Sequence, residues 1–278
     1  MLSYRHAFHA GNPADVLKHI VLLQLLEYFN RKEKPYLVVD THAGAGGYAL
    51  DEGYALKNAE FAAGVGRLFA LQDGPAALQD YLVAIRHFNS AGVLRFYPGS
   101  PLLARRMMRE QDRLRLFELH PADAQLLMQR FRGDRQVRVE MTDGLAGLRA
   151  VLPPPSRRGL VLIDPSWEDR QDYLRVPEVL QDALKRFATG TYAVWYPLLS
   201  RSEAVRLPGA LERLGGEWLR VELRTASPPA DGFGMYGSGM FVLNPPWVLE
   251  EALRQVMPLL VGCLAGKEGG FSLQARLR

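Results

Sequence analysis

The chain has 278 residues, of which 48% are hydrophobic and 23% are charged, as is typical of a soluble globular protein with one large domain. No apolar run reaches the roughly 18 residues that a membrane-spanning helix needs. Because residues 1–6 also lack the apolar segment of a secretory signal, we expect a cytoplasmic protein that does not associate with membranes. The single cysteine, Cys263, excludes an intrachain disulfide and a cysteine-based zinc site. The net charge is only +4, but arginines concentrate at 105–115 and 157–158, which favours an anionic partner.

Helix and strand patterns alternate along most of the chain. An amphipathic helix is expected at 14–30, started by Asn12-Pro13. Seven apolar runs are typical of strands, at 36–40, 115–119, 136–141, 160–164, 192–196, 218–223 and 240–243. Helical patterns separate most of these runs, which predicts an α/β fold with a mainly parallel, doubly wound sheet. A Pro/Gly-rich loop, 227–239, joins the last two runs, so the seventh and last strand is expected to be antiparallel.

Two regions depart from this alternation within what we interpret as a single domain spanning 1–278. Residues 48–97 show helical patterns and no clear strand, which predicts a small inserted helical subdomain after the first strand. Residues 1–30 form an N-terminal segment and helix that precede the first strand. No exposed heptad or long edge pattern stands out, so we expect a monomer.

Polar or flexible residues follow the first three core strands. The first strand ends at Asp40, and a glycine-rich loop containing Gly44 follows, which lets the backbone approach a ligand. Glu118 ends the second core strand, where a carboxylate can bind both hydroxyls of a ribose. Asp143, followed by Gly144, comes after the third and can accept a hydrogen bond from an adenine amino group. This order fits a class I methyltransferase better than a dehydrogenase.

The fourth core strand, 159–163, ends in Asp164-Pro165-Ser166-Trp167. The Asp164 carboxylate and the Pro165 carbonyl can both accept hydrogen bonds from an exocyclic amino group, and Trp167 can stack on its ring. The segment 244–247, Asn-Pro-Pro-Trp, looks like the same kind of motif. Because it follows the antiparallel strand, we expect it at the opposite edge of the sheet, as a turn before a helix at 248–260.

Several longer motifs occur in order along the chain, namely Tyr4-Arg-His-Ala-Phe-His-Ala-Gly-Asn12, Asp15-Val-Leu-Lys-His19, Asp40-Thr-His-Ala-Gly-Ala-Gly46, Tyr97-Pro-Gly-Ser-Pro101 and Glu118-Leu-His-Pro121. With them, the chain closely resembles the ribosomal RNA large subunit methyltransferase J family, which consists of adenine-N6 methyltransferases acting on 23S rRNA. The resemblance runs essentially from end to end.

The resemblance implies a Rossmann-like methyltransferase core, with S-adenosylmethionine as methyl donor, 23S rRNA as partner and no metal. It implies that the N-terminal segment helps to cover the donor, that Asp164 is the catalytic group and that Tyr4 meets the RNA. The donor or its product would contact His19, His42, Ser100, Glu118, Asp143 and Gly144, with Lys18 beside them.

One departure from the family and three alternatives remain. The usual Asp-Pro-Pro-Tyr is Asp164-Pro165-Ser166-Trp167 here, and Ser166 loosens a backbone that a second proline would stiffen. An NAD(P)-dependent oxidoreductase would need a third spaced glycine that the loop after Asp40 lacks. A non-catalytic RNA-binding protein that kept the fold is the second alternative. A histidine metal site is disfavoured by the spacing of His6, His9, His19 and His42.

Overall fold

The computed structural model describes residues 6–51 and 59–277. Its strands are β1 (Leu37–Asp40), β2 (Gly47–Ala49), β3 (Phe96–Pro98), β4 (Arg113–Phe117), β5 (Val137–Glu140), β6 (Gly159–Ile163), β7 (Thr191–Leu198), β8 (Trp218–Arg224), β9 (Gly237–Leu243) and β10 (Gly270–Arg276). Eight of them form one sheet in the order β10-β8-β9-β7-β6-β1-β4-β5. Strands β5, β4, β1, β6 and β7 are parallel, whereas β9 pairs antiparallel with both β7 and β8.

This is the mainly parallel α/β architecture expected for a Rossmann-like class I methyltransferase, and each of the seven predicted strands is present. The predicted antiparallel arrangement of β9 is confirmed. The strand count of seven is wrong, because β10 adds an eighth strand, antiparallel to β8 at the edge of the sheet. The residues of β10 are only partly buried. The strand therefore lacks the continuous apolar run that marks the buried strands.

The helices cover both faces of the sheet. They are α1 (Pro13–Asn30), α2 (Val65–Leu68), α3 (Ala76–His87), α4 (Ser100–Met107), α5 (Pro121–Arg130), α6 (Gly144–Val151), α7 (Asp172–Arg186), α8 (Ser202–Glu212) and α9 (Leu249–Leu264). One core holds α1, α3, α4 and α9 against one face, and the other holds α6, α7 and α8 against the opposite face. Successive strand residues alternate between these cores, as the pleat requires: Leu160 and Leu162 face the first, Val161 and Ile163 the second. None of these helices, all from the described part of the chain, has the length and apolar character to cross a bilayer.

Helix α1 begins where the sequence predicts, but it is not amphipathic. The side chain of Asn12 caps it by accepting a hydrogen bond from the Asp15 N–H at 2.9 Å. Helices α3, α4 and α9 and strand β9 surround it, so it is buried on nearly all sides. Polar residues such as Lys18 and His19 are therefore buried too, and they need partners within the protein.

The region 48–97 contains more than helices. Strands β2 and β3 pair antiparallel at its two ends, with Tyr48 opposite Tyr97, although the sequence predicted no strand there. Each strand has only three residues, too few to show an alternating pattern. Helix α3 packs against α1 and α9, so this region shares the first core. Residues 52–58 lie outside the described part, and the proposal of a separate subdomain stays a prediction.

The segment 244–247 lies where the sequence predicted, away from the carboxyl edge of the parallel strands. Asn244 follows β9, and its side-chain amide donates hydrogen bonds of 2.7 Å to the carbonyls of Ala188 and Gly190, just before β7 begins. Helix α9 follows at Leu249. The segment is therefore a turn between a strand and a helix.

Candidate active site

The carboxyl ends of β1, β4, β5 and β6 meet at one edge of the sheet and surround a cavity of about 270 Å³, which we call the first cavity. All eight residues predicted to bind the donor line it: Lys18, His19, His42, Gly44, Ser100, Glu118, Asp143 and Gly144. Asp164 and Pro165 line it as well. Gly44, Glu118, Asp143 and Asp164 follow the ends of strands, whereas Lys18, His19 and Ser100 belong to helices α1 and α4 and were expected from the family resemblance.

Glu118 fixes the glycine-rich loop to the second core strand. One carboxylate oxygen accepts from the Gly44 N–H and the other from the His120 N–H, each at 2.7 Å. Burial raises the pKa of Glu118, while these two hydrogen bonds oppose that rise. Since each carboxylate oxygen has a second lone pair, Glu118 can still accept hydrogen bonds from a ligand in the cavity.

Asp143 caps α6 and binds an arginine that sequence reasoning missed. One oxygen accepts from the Ala146 N–H at 3.1 Å, and the other pairs with Arg175 on α7. Burial would raise the pKa of Asp143, but the hydrogen bonds from Arg175 and Ala146 outweigh it and lower the pKa. Gly144 follows, where a β-carbon would lie 2.2 Å from the Thr41 carbonyl oxygen, so only glycine fits there.

A buried carboxylate, Asp40, accepts hydrogen bonds from both Ser100 and His42, which line the cavity. The Ser100 hydroxyl donates to Asp40 at 2.6 Å, and the His42 N–H donates to its other oxygen at 3.2 Å. Burial raises the pKa of Asp40 to about 6. The interaction of Ser100 with Asp40 fixes the start of α4 to the end of β1, so Ser100 has a structural partner in addition to its predicted role.

His19 lies at the end of a buried polar chain. Its Nδ1 lies 2.8 Å from the Tyr97 hydroxyl, which lies 3.2 Å from the Tyr81 hydroxyl on α3. Burial lowers the pKa of His19 to about 3, so the imidazole is neutral. Its Nε2 is buried without a hydrogen-bond partner among the described residues, and the side chain lines the first cavity. A buried polar atom of this kind is suited to a ligand that supplies the missing hydrogen bond.

Lys18 connects α1 to the fourth strand end. Its Nζ lies 2.5 Å from Asp164 Oδ2 and 2.8 Å from Asp15 Oδ1, and only 4% of its side chain is exposed. Burial alone would lower the pKa of Lys18, but the two carboxylates outweigh it and raise the pKa above its usual value. Asp15 also pairs with His6 at 2.9 Å, and His6 and Lys18 hold its pKa well below normal despite burial.

A second cavity, of about 310 Å³, lies on the other side of Asp164. It shares His6, Lys18, Asp164 and Ser166 with the first cavity. Its other walls include the aromatic or apolar residues Trp167, Trp195, Pro197, Leu199 and Met235. Asp164, with 13% of its side chain exposed, therefore lies where the two cavities meet.

Trp167 lines the second cavity, but it is only 1% exposed. Its indole N–H donates to the Trp195 carbonyl at 3.1 Å, and its ring packs at a 44° tilt against Tyr173. The residue has a φ of +57°, which is rare for an aromatic residue and common near functional sites. The stacking role predicted for Trp167 requires an accessible ring face, so this role stays a prediction.

Sequence reasoning assigned no role to four residues at the site. Tyr97 and Arg175 contact His19 and Asp143, which are distant in the chain. Asp15 pairs with Lys18 one helical turn away, and Trp195 forms part of the wall of the second cavity. Tyr4 lies outside the described residues. Among residues 6–51 and 59–277, no three His, Cys, Asp or Glu side chains converge as they would around a metal ion.

The arginine-rich stretches lie at the opposite edge of the sheet. Arg109 pairs with Asp112 and donates to the Lys32 carbonyl at 2.7 Å, while Arg158 donates to the Phe29 carbonyl at 2.8 Å. These contacts hold the loop between α1 and β1 at the amino ends of the parallel strands. Both arginines therefore have structural roles, which weakens the interpretation that the cluster exists to bind an anion.

Comparison with known proteins identifies the family. A family model described as "Ribosomal RNA large subunit methyltransferase D, RlmJ" matches residues 33–276. Two relatives are each named ribosomal RNA large subunit methyltransferase J. The Escherichia coli protein is 49% identical over 94% of this chain and 93% of its own length, and the Haemophilus influenzae protein is 45% identical over 97% and 96%. A crystal structure of a Legionella pneumophila protein is 34% identical, with a TM-score of 0.88 over 96% of this chain and 98% of that chain. The chain therefore belongs to the ribosomal RNA large subunit methyltransferase J family.

Proposed function

We propose that this protein is an S-adenosylmethionine-dependent methyltransferase that modifies N6 of an adenine in 23S ribosomal RNA. The donor would occupy the first cavity and the adenine would enter the second. The observation that carries this proposal is that the two cavities meet at Asp164. Membership of the family supports ribosomal RNA as the substrate class.

The first cavity fits a positively charged donor. Six carboxylates from the described part of the chain line it: Glu118, Asp123, Asp143, Asp164, Asp169 and Asp172. Among the described residues of its walls, the lysine and the arginine are Lys18 and Arg175, and each pairs with a carboxylate. When bound, S-adenosylmethionine supplies a methyl group on a positively charged sulfur. The pyrophosphate of a dinucleotide would instead place two negative charges among these carboxylates, so the cavity disfavours the oxidoreductase alternative.

The cavity also offers hydrogen-bonding groups for a nucleoside and a polar tail. Gly144 lets the loop after β5 pack directly against the Thr41 backbone at the cavity wall, and Glu118 has lone pairs left for ribose hydroxyls. The buried Nε2 of His19 can hydrogen-bond a polar group of the ligand. These features support the proposed donor contacts of His19, Glu118 and Gly144.

Asp164 and Pro165 would hold the amino group of the adenine. Lys18 holds Oδ2 of Asp164 at 2.5 Å, while no described residue donates a hydrogen bond to Oδ1. Oδ1 and the Pro165 carbonyl can each accept one N–H of the amino group. Their hydrogen bonds would draw the nitrogen lone pair out of ring conjugation and point it into the first cavity. Catalysis would then rely mainly on positioning and electrostatics.

The second cavity would receive the adenine after it leaves its base stack. Unstacking costs a few kcal/mol and is cheapest in RNA that is not in a duplex. The apolar and aromatic walls formed by Trp195, Pro197 and Leu199 can repay part of this cost by burying the base. Trp167 lines the same cavity. Its ring would stack on the adenine only if RNA binding exposed one of its faces.

Product analysis tests the proposal. The protein is incubated with labelled S-adenosylmethionine and deproteinised 23S rRNA, and the RNA is digested to nucleosides for mass spectrometry. We expect N6-methyladenosine at a single position. Donor binding without transfer would support the non-catalytic RNA-binding protein, and binding of NADH instead would support the oxidoreductase.

A further inference from the structure

We propose that the loop between β8 and β9 is an RNA-docking surface, on which an unpaired base next to the target adenine stacks against Phe233. The inference rests on the proposed methylation of an RNA adenine. The loop, residues 225–236, contains most of the Pro/Gly-rich segment 227–239 noted in the sequence.

Phe233 is presented to solvent at the tip of this loop. It is 79% exposed, which is the highest value among the large hydrophobic residues that the structure describes. A phenyl ring left in water forgoes the stabilisation that burial would give, so such a position calls for another explanation. Its neighbours Gly232 and Gly234 both have positive φ angles, +74° and +99°, which turn the chain sharply on each side of the ring.

The loop is held in place at its base and at its tip. At the base, the Thr225 N–H donates to the Tyr236 carbonyl at 2.9 Å, and the Tyr236 N–H donates to the Leu198 carbonyl at 3.1 Å. At the tip, the Phe233 N–H donates to the Asp231 carboxylate at 3.0 Å. The backbone that carries the ring is therefore pre-organised, which reduces the entropy lost on binding.

The position of the loop places Phe233 beside the second cavity. Leu198 ends β7, which is parallel to β6, so the loop lies at the same edge of the sheet as Asp164. Met235 lines the second cavity, and Phe233 is only two residues away, which is at most about 7 Å along the chain. A nucleotide adjacent to an adenine in this cavity would emerge within reach of the ring.

The chemistry of the tip favours a base as its occupant. Aromatic side chains are the usual platforms for unpaired bases, because every base has a π-face. A second copy of the protein is a poorer fit: a stable interface needs about 800 Å² from each partner, whereas one phenyl ring supplies about 150–250 Å². The glycines and Asp231 that flank Phe233 add little apolar area.

The test compares Phe233→Ala with Trp247→Ala. Trp247 is 73% exposed but lies in the turn at the opposite edge of the sheet, so it is a matched control for loss of an exposed aromatic ring. With 23S rRNA as the probe, we expect Phe233→Ala to raise the KM for RNA about 5- to 100-fold, with kcat at saturating RNA and donor affinity unchanged. Trp247→Ala should behave as wild type, and Phe233→Trp should retain tight binding. Equal KM values for Phe233→Ala and Trp247→Ala would overturn the proposal.

Two further measurements identify the occupant. A photoreactive benzoylphenylalanine in place of Phe233 should crosslink to a nucleotide next to the methylated adenine, and crosslinks only to remote nucleotides would overturn the proposal. If Phe233→Ala dissociates a dimer in sedimentation without changing RNA affinity, the surface is a protein interface and the proposal is wrong. Failure of the proposed function is distinct, because the wild-type protein would then produce no N6-methyladenosine at all.

Discussion

Lys18 Nζ lies 2.5 Å from Asp164 Oδ2, although 146 residues separate the two in sequence. This contact joins the N-terminal helix to the end of the fourth core strand, at the point where the two cavities meet. It explains why a polar residue is tolerated on a helix that is buried nearly all round. It also engages one oxygen of Asp164, while no described residue donates a hydrogen bond to the other.

Replacing Lys18 by methionine should destabilise the fold. The change leaves the buried carboxylates of Asp15 and Asp164 without their shared cation, and breaking a buried ion pair in this way costs about 3–5 kcal/mol. Urea unfolding measures the loss. Adding Asp15→Asn should recover part of it, because one of the uncompensated charges is then removed. An unfolding free energy equal to that of wild type would show that the ion pair does not form.

Removing the Tyr97 hydroxyl should weaken donor binding. In Tyr97→Phe, His19 Nδ1 loses its partner, so the imidazole loses its fixed tautomer and orientation. A buried group left without a hydrogen bond costs about 1–3 kcal/mol. Tyr81→Phe is the matched control, since it removes a neighbouring buried hydroxyl without touching His19. Calorimetry with S-adenosylmethionine should show a larger loss of affinity for Tyr97→Phe, and equal affinities in the two variants would contradict a positioning role.

Stability should depend on pH through His19. Its folded pKa of about 3 is below the usual value of 6.5, because burial disfavours the charged form. The neutral imidazole therefore contributes stability that is fully present above pH 6.5 and is lost as the pH falls towards 3, since only the unfolded state binds a proton in that range. Relative to His19→Gln, wild type should lose up to about 1.4 kcal/mol per pH unit between pH 6 and 4.5. Unfolding curves with the same pH slope for both proteins would argue against a buried, neutral His19.

The sequence predicted well which strand-end residues lie at the carboxyl edge of the sheet, because the carboxyl ends of parallel strands lie at the same edge. Glu118, Asp143 and Asp164 could be located from this rule alone. The partners of these residues could not. The contact between Tyr97 and His19 depends on how α1 packs against the region 48–97, and the pairing of Arg175 with Asp143 depends on the rotation of α7. Neither leaves a periodic signal in the sequence.

The orientation of the Trp167 ring could not be predicted from the sequence either. The sequence places an aromatic residue beside Asp164, but it does not determine whether the ring faces the cavity or the core. The structure packs the ring against Tyr173, within the core formed by α6, α7 and α8. Strand β10 was missed for a related reason, since an edge strand with partly exposed residues looks like an ordinary loop in the sequence.

The most direct test of the central claim is single-turnover methylation of 23S rRNA by Asp164→Ala and Asp164→Asn, with donor affinity measured on the same samples by calorimetry. The alanine variant cannot accept a hydrogen bond from the adenine amino group, so we expect its rate to fall at least about 100-fold. Asparagine keeps one acceptor oxygen without the charge, so its rate should be intermediate. Donor affinity should stay within a few-fold of wild type for both. Full methylation by Asp164→Ala, with N6-methyladenosine as product, would remove this carboxylate from the mechanism.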